Sequence, residues 1–318
     1  RDYGRKISRG TRLTMARPIF LYWHQGWDDA PELVKECAQS WVYHHLNSEW
    51  EVHLLHRGNI ESWLNGSCLE DLEALQRFES RLSKNKNVGG LAHFADLLRL
   101  TLLETHGGVW TDATTLCFAP LDSWLPQPYS MGMPRSLAQS RRTETWFIDN
   151  RCGDPALSAW KNRYRDLYFS DGNRITYLDN WGIPRYKPTY WMVNFAMRSK
   201  GLAMRIWNGN LALKILKVRP YFATNHMLEY VLRYEVPIER TSRLHHLILP
   251  IDAELNWEVH ISDWSQPMTP FMKKRIEHAP LIKLNHKAQW VERANQGKLN
   301  PNSAWNHWIA KAKGLKTE

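Results

Sequence analysis

The chain has 318 residues, 43% of them hydrophobic and 23% charged, which suits a globular protein built as one large domain or as one domain with a helical annex. Its four cysteines (Cys37, Cys68, Cys117 and Cys152) are widely spaced, which argues against a zinc ribbon or a disulfide framework and favours a reducing compartment. The formal net charge of +10 favours anionic ligands such as nucleotide diphosphates, acidic glycans or lipid headgroups.

The predicted elements begin after a basic N-terminal arm, residues 1–17. Pro18 to Trp23 predicts a buried strand, and Asp28-Asp29-Ala30-Pro31 predicts the start of a helix that runs to about His45. A second strand over Trp50 to His56 follows. Two helices are then predicted, over Asn59 to Leu64 and over Leu69 to Leu82.

The central stretch covers residues 91–117. Its apolar residues recur at helical spacing, Asp96 and Arg99 lie between them, and Gly107-Gly108 predicts the end of this helix. A short strand, Val109 to Thr111, then leads into Asp112. A charge inside a largely apolar helix is costly unless it has a partner or a task, so we expect Asp96, Arg99 and Asp112 to share one pocket.

Beyond Cys117 the pattern is weaker. Short strands are predicted over Tyr129 to Met133 and Thr145 to Ile148, and helices over Ala156 to Phe169 and Ala223 to Tyr234. His245 to Pro250 has a strand-like pattern, Ile261 to Pro270 is typical of a loop, and two short helices end the chain.

The motif Ala95-Asp96-x-Leu98-Arg99, followed by Gly107-Gly108-Val109-Trp110 and an acidic strand end, resembles the core of the glycosyltransferases with a D-x-D sugar-binding region. The form G-G-V-W-x-D-A-T is most similar to the capsular polysaccharide synthesis proteins. The opening strand with W-x-Q-G and the pattern W-F-I-x-x-x-x-G-x-P-x-L, residues 146–157, resemble the same group.

This resemblance, to a family 32-like group, implies a GT-A (Rossmann-like) α/β fold with a mainly parallel central sheet and a helical C-terminal part. It implies a GT-A domain over residues 18–287 and a helical extension over 288–318. The expected activity is that of a retaining hexosyltransferase, which moves a sugar from a nucleotide-sugar donor, UDP-linked by preference, to a glycan or polysaccharide acceptor.

Residue by residue, the resemblance makes Asp96, Arg99 and Asp112 the catalytic candidates: the first two hold the donor sugar, and Asp112 serves the ribose and a metal ion. The remaining donor-binding candidates are Trp23, for stacking on the base, Gly108, Lys283 and Lys287.

A divalent ion, Mn²⁺ or Mg²⁺, is implied as cofactor. Asp112, Thr114 and His286 are its candidate ligands. Thr114 stands in the second acidic place of D-x-D, and a hydroxyl binds a hard cation far less well than a carboxylate does. Either donor phosphates complete the coordination, or Lys283 and Lys287 share the neutralisation.

Two alternatives stay open: a non-catalytic module that binds a nucleotide sugar or glycan, and a basic, Trp-rich polyanion binder. No nucleic acid is expected, since the sequence lacks the usual nucleic-acid-binding signatures. We expect a cytoplasmic protein, with peripheral membrane association through its basic ends left open. Because the chain starts at Arg1, a removed anchor upstream also stays open.

Overall fold

The computed structural model describes residues 16–64, 68–82, 90–126, 131–150, 152–169, 176–178, 191, 195, 198–208, 218–220, 222–236, 248–285, 292 and 299–315. The predicted basic arm up to residue 15, His286 and Lys287 lie outside these ranges. The expected domain boundaries therefore stay a prediction.

The first half of the chain contains both strands and helices. They are β1 (Arg17–Tyr22), α1 (Glu32–His45), β2 (Trp50–Leu55), α2 (Glu61–Leu64), α3 (Leu69–Leu82), α4 (Gly90–His106), β3 (Gly108–Thr111), β4 (Thr115–Cys117), β5 (Met131–Gly132), β6 (Phe147–Asn150) and α5 (Pro155–Tyr168).

Five of these strands form the central sheet, in the order β2-β1-β3-β6-β5. Strand β1 pairs in parallel with both β2 and β3, whereas β6 is antiparallel to both β3 and β5. All strands except β6 therefore run in one direction. The predicted α/β fold with a mainly parallel sheet is confirmed, and the arrangement is consistent with a GT-A-type fold.

Helices make up most of the secondary structure in the described residues of the second half of the chain. Its elements are β7 (Thr176–Leu178), α6 (Lys200–Trp207), β8 (Val218–Pro220), α7 (Ala223–Tyr230) with a π-helical turn (Val231–Glu235), α8 (Ala253–Ile261), α9 (Pro270–Ile276), β9 (Leu281–Lys283) and α10 (Ala304–Ala312). The predicted helical C-terminal part is thus confirmed.

Helices α8 and α9 are absent from the sequence prediction, although both carry a recognisable start. The Asp252 carboxylate accepts the backbone N–H groups of Glu254 and Leu255, and the Thr269 hydroxyl accepts that of Met272. Each side chain accepts a hydrogen bond from backbone N–H groups that have no partner within the first turn of the helix. The predicted loop over 261–270 is the connection between the two helices.

Most of helix α4 is buried in the core. Phe94, Leu97, Leu98, Leu102 and Leu103 are fully buried and pack in one apolar core cluster with residues of α3 and α5. Burying one such side chain stabilises the fold by about 1.5–3 kcal/mol. The polar residues that α4 carries are therefore held on a rigid support.

The pair Gly107-Gly108 joins α4 to β3 as predicted, with φ angles of 67° and 87°. A Cβ on Gly108 would lie 2.2 Å from the carbonyl oxygen of Pro18 in β1. Only glycine allows the two strands to approach so closely at this φ.

A second, smaller sheet joins distant parts of the chain. Strand β4 pairs antiparallel with β9, with Thr115 opposite Lys283 and Cys117 opposite Leu281. An apolar cluster beside it includes Val34 of α1, Leu116 of β4 and Trp308 of α10. The C-terminal helix thus packs against the main body of the protein.

The described residues contain no helix that is both long and apolar enough to cross a membrane. All four cysteines are free, and Cys152 alone among them is exposed. In the basic C-terminal end, Lys311 donates to the carbonyl of Glu277 at 2.8 Å and Lys313 pairs with Glu36 at 3.0 Å. These two lysines therefore have partners within the fold.

Candidate functional site

Four charged side chains meet where α4, β3 and β9 converge. Asp96 and Arg99 lie one turn apart on α4, Asp112 directly follows β3, and Lys283 ends β9. The backbone N–H of Asp112 donates to the carbonyl of Trp146 at 2.8 Å, which fixes the chain as it leaves the sheet. We call Asp96, Arg99, Asp112 and Lys283 the site cluster.

Arg99 is the centre of this cluster. Its Nη2 lies 3.0 Å from Oδ1 of Asp96, and its Nη1 lies 3.5 Å from Oδ1 of Asp112. The same Nη1 donates to the carbonyl of Thr145, and the guanidinium lies 5.1 Å from the centre of the Trp110 ring. The structure thus brings together the three catalytic candidates that the sequence predicts.

Asp112 is held from both sides. Nζ of Lys283 donates to its Oδ2 at 2.8 Å, and Nε1 of Trp110 donates to its Oδ1 at 3.2 Å. Burial alone would raise the pKa of this carboxyl, but Lys283 and Arg99 hold it below its ordinary value. Asp112 is therefore an anion near neutral pH.

Asp96 has the opposite character. Burial raises its pKa to about 6 despite the opposing effect of Arg99. The Tyr164 hydroxyl lies 3.4 Å from Oδ2 of Asp96 and 2.8 Å from Nδ1 of His93. Two neighbouring carboxylates thus titrate in different pH ranges, as is common at functional sites.

Lys283 reaches the cluster through the β4–β9 pair. Its Nζ donates to Oδ2 of Asp112 and, at 2.6 Å, to Oγ1 of Thr114. Its backbone N–H donates to Oδ1 of Asn256 in α8 at 2.6 Å. The sequence predicts Lys283 as a phosphate ligand, but not its pairing with Asp112.

Exposure divides the cluster into an inner and an outer pair. The Asp96 and Arg99 side chains are 9% and 8% exposed, whereas those of Asp112 and Lys283 are 28% and 23% exposed. A ligand that approaches from solvent therefore meets Asp112 and Lys283 first, with Arg99 behind them.

The other donor-binding candidates are placed differently. Trp23 follows β1, is half-buried, and packs against the apolar cluster that contains Ala113 and Leu284, the sequence neighbours of Asp112 and Lys283. Gly108 begins β3, at the opposite end of that strand from Asp112, and its close contact with Pro18 accounts for the glycine there. Lys287 and His286 lie outside the described residues.

Several residues of the site are missed by sequence reasoning. Trp110 is part of the quoted motif, but its contacts with Arg99 and Asp112 were not expected. His93 stands three residues before Asp96, a spacing that places both on one helix face and could have drawn attention to it. Tyr164 and Asn256 give no sequence signal, because only the tertiary fold brings them near the site.

The expected divalent ion fits this arrangement poorly. Among the described residues, no group of three or more His, Cys, Asp or Glu side chains is placed to hold a metal. The oxygens of the two described candidate ligands, Asp112 and Thr114, both accept from the Lys283 ammonium. An ion bound to the same oxygens would lie against a positive charge.

Comparison with known proteins identifies the relatives of this chain. Residues 5–178 match the capsular polysaccharide synthesis protein family. An O-glycosyltransferase, braB, of Annulohypoxylon truncatum is 26% identical over 170 residues, which cover 49% of this chain and 38% of that protein. A glycosyltransferase, afumC, of Aspergillus fumigatus is 27% identical over 166 residues, covering 48% and 40% of the two chains.

The matched part therefore spans less than half the length of these curated relatives. Among solved structures, the PaToxG glycosyltransferase aligns with 14% identity and a TM-score of 0.39, over 73% of this chain and 76% of the other. The family match includes β1 to β6, α4 and three members of the site cluster, Asp96, Arg99 and Asp112. The chain belongs to the capsular polysaccharide synthesis protein family.

Proposed function

We propose that this protein is a retaining glycosyltransferase that transfers a sugar from a nucleotide-sugar donor, UDP-linked in the first instance, to a glycan or polysaccharide acceptor. The observation that carries the proposal is the convergence of Asp96, Arg99 and Asp112, with the Arg99 guanidinium 3.0 Å from one carboxylate and 3.5 Å from the other. The names of the two curated relatives support sugar transfer in general terms.

The position of the cluster supports a nucleotide-binding role. Asp112 follows the carboxyl end of β3, and Trp23 follows the carboxyl end of the neighbouring parallel strand β1. Ligands of open α/β sheets bind beyond the carboxyl ends of the strands. In the proposal Trp23 stacks on the base, and Asp112 contacts the ribose or the diphosphate.

The chemistry asks for charges of both signs. When the anomeric C–O bond breaks, its electron pair goes to the departing phosphate and positive charge grows on the sugar. Lys283 and Arg99 supply cationic donors, and Asp112 and Asp96 supply anions. In a same-face reaction the acceptor hydroxyl bonds to the anomeric carbon and gives its proton to the departing phosphate, so that no protein nucleophile is required.

The exposed fraction of each side chain suggests which residues of the site cluster contact the donor and which hold those residues in place. Asp112 and Lys283 are open enough to touch the donor, and the planar guanidinium of Arg99 places one nitrogen beside Asp112 and the other beside Asp96, which Lys cannot reproduce. Asp96 in turn holds Arg99. The resemblance implies that Asp96 and Arg99 contact the donor sugar directly. In the proposal this contact involves only the small exposed part of each side chain.

The test is turnover of radiolabelled nucleotide sugars with glycan acceptors, after a thermal-stabilisation screen has selected the donor. We expect one donor to be consumed, and nuclear magnetic resonance of the product to show the anomeric configuration of the donor. An inverted product would contradict the retaining part of the proposal only. Donor binding without turnover against a broad acceptor set would support the non-catalytic module instead.

A further inference from the structure

Nζ of Lys283 lies beside Asp112 and Thr114, the two described residues that the sequence predicts as ligands of a divalent ion. We propose that the Lys283 ammonium takes the place of that ion and is the cationic contact for the diphosphate of the donor. The inference rests on the proposed function, since it names the group that receives the phosphates in the same site.

The contacts of the ammonium leave little room for a metal ion. Nζ of Lys283 lies 2.8 Å from Oδ2 of Asp112 and 2.6 Å from Oγ1 of Thr114. These are the oxygens of the first and third positions of D-A-T. A divalent ion on both oxygens would share its ligands with an ammonium and be repelled by it.

The backbone holds the lysine at this place. Thr115 pairs with Lys283 across the β4–β9 ladder, and the N–H of Leu284 donates to the carbonyl of Thr114 at 2.9 Å. From the other side, Asn256 accepts the backbone N–H of Lys283 at 2.6 Å. The backbone of Lys283 can therefore move only if the β4–β9 pairing and the contact with α8 are both broken.

The charge balance also fits a monovalent cation. The carboxylates of Asp96 and Asp112 match the two cations Arg99 and Lys283, and the neutral Thr114 hydroxyl accepts a further hydrogen bond without adding charge. A divalent ion prefers several charged oxygen ligands, which D-A-T does not supply. Thr114 in the second acidic place is thus explained by the Lys283 ammonium that donates to it.

The ammonium keeps the capacity to bind phosphate. Lysine has three N–H donors, of which the contacts with Asp112 and Thr114 use two. The side chain is 23% exposed, beside the 28% exposed Asp112. In transfer, the Lys283 proton stays on nitrogen while the ammonium stabilises the negative charge that develops on the departing phosphate.

The test measures nucleotide binding by calorimetry for the full chain, with UDP, GDP, ADP, CDP and dTDP as probes. Each titration is run in excess chelator and again with Mn²⁺. The variants are Lys283→Met, which removes the charge, and Lys283→Arg, which keeps it. Lys274→Met on the exposed face of α9 is the matched control, and thermal unfolding checks that each variant folds.

We expect one diphosphate to bind the wild-type protein in chelator, with a Kd that Mn²⁺ changes by less than about 3-fold. Lys283→Met should weaken this binding about 10- to 100-fold, the usual effect of losing a charged hydrogen bond. Lys283→Arg should retain part of the affinity in chelator, and Lys274→Met should retain all of it. Because Lys283→Arg keeps the ion pair, it preserves the test if the methionine variant fails to fold.

A diphosphate that binds only with Mn²⁺ would overturn the inference and leave the proposed function standing. Unchanged binding by a folded Lys283→Met in chelator would overturn it as well. If no diphosphate binds in either buffer and no labelled sugar is turned over, the proposed function fails and the inference fails with it.

Discussion

Two clusters of charged side chains that each include residues of α4 serve as a natural comparison. One is the site cluster; the other, which we call the structural cluster, contains Asp71, Glu104, Lys161 and Arg165. In it Nζ of Lys161 lies 2.8 Å from Asp71 and 2.5 Å from Glu104, and Arg165 lies 3.1 Å from Asp71. Both clusters join residues that are far apart in the sequence.

The two clusters differ in the exposure of their lysine–aspartate pair. The Asp71 and Lys161 side chains are 2% and 9% exposed and those of Asp112 and Lys283 are 28% and 23% exposed, while Glu104 and Arg165 at the edge of the structural cluster are each 21% exposed. Burial alone would lower the pKa of Lys161, but Asp71 and Glu104 hold it above its ordinary value. We infer that similar ion pairs stabilise the fold at one place and are left open for a ligand at the other.

The largest expected effect on stability is in the structural cluster. Lys161→Met leaves Asp71 and Glu104 without their ammonium partner, and breaking a buried pair in this way costs about 3–5 kcal/mol of unfolding free energy. Urea denaturation measures the loss, with Lys274→Met as the exposed control. A loss below about 1 kcal/mol, the range of exposed pairs, would show that this cluster is not structural.

In the site cluster, Arg99→Lys should reduce turnover more than stability. A lysine keeps the charge but loses the fork that joins Asp96, Asp112 and the Thr145 carbonyl, so we expect about a 10- to 100-fold loss in kcat/KM. Initial rates with the selected donor measure it. Arg77→Lys, on the exposed face of α3, is the control, and equal rates in both variants would contradict the role of Arg99.

A pH series sharpens the contrast between the two carboxylates of the site. Asp96 has a folded-state pKa of about 6 against an ordinary value of 3.8, so the folded protein takes up a proton there before the unfolded chain does. Its contribution to stability should therefore rise as the pH falls from about 6 towards about 4, by at most about 1.4 kcal/mol per unit.

Activity should change in the opposite direction, because protonated Asp96 no longer attracts Arg99 as an anion. The measurement compares the unfolding free energy of wild type and Asp96→Asn from pH 4.5 to pH 8, together with the rate of the wild type. A stability difference that is independent of pH across this range would contradict the raised pKa.

Asp112, whose pKa is lowered, has the opposite effect on stability. Its stabilisation is present above the pKa of the unfolded state and is lost as the pH falls through the pKa of the folded state.

The smallest effect is expected for Tyr164→Phe, which removes the hydroxyl between His93 and Asp96. The loss should be about 0.5–1.5 kcal/mol in unfolding free energy, the usual net value of one hydrogen bond. Because Tyr164 lowers the pKa of Asp96, the acidic limb of the rate profile should also move to higher pH. If the folded variant has the same acidic limb as the wild type, Tyr164 contributes only packing and does not affect the titration of Asp96.

Much of this architecture follows from local sequence. The apolar spacing of α4, its glycine stop and the exit to Asp112 predict the elements that carry the three catalytic candidates, and α3 has the predicted bounds. Strand β6 begins at Phe147 rather than at the predicted Thr145, whose carbonyl instead accepts from Arg99. A tertiary contact of this kind leaves no local signal.

What the sequence could not predict depends on long-range pairing. The β4–β9 ladder brings Lys283 to Asp112 across 171 residues, and no period or propensity of either segment indicates which partner it will meet. The same holds for Asn256 on α8. The structural cluster was not predicted either, because the charged residues of α3 and α5 have no spacing in the sequence that indicates their tertiary partners.

The most direct test of the account is the turnover of Asp112→Asn with the selected donor, expressed per folded molecule. Asparagine keeps the shape of the side chain and removes the charge that Lys283 and Arg99 hold in place. We predict a loss of about 100- to 1,000-fold in kcat, the scale of removing one oriented electrostatic group, with an unfolded fraction no larger than in the wild type. Turnover equal to that of the wild type would contradict the assignment of the site cluster to sugar transfer.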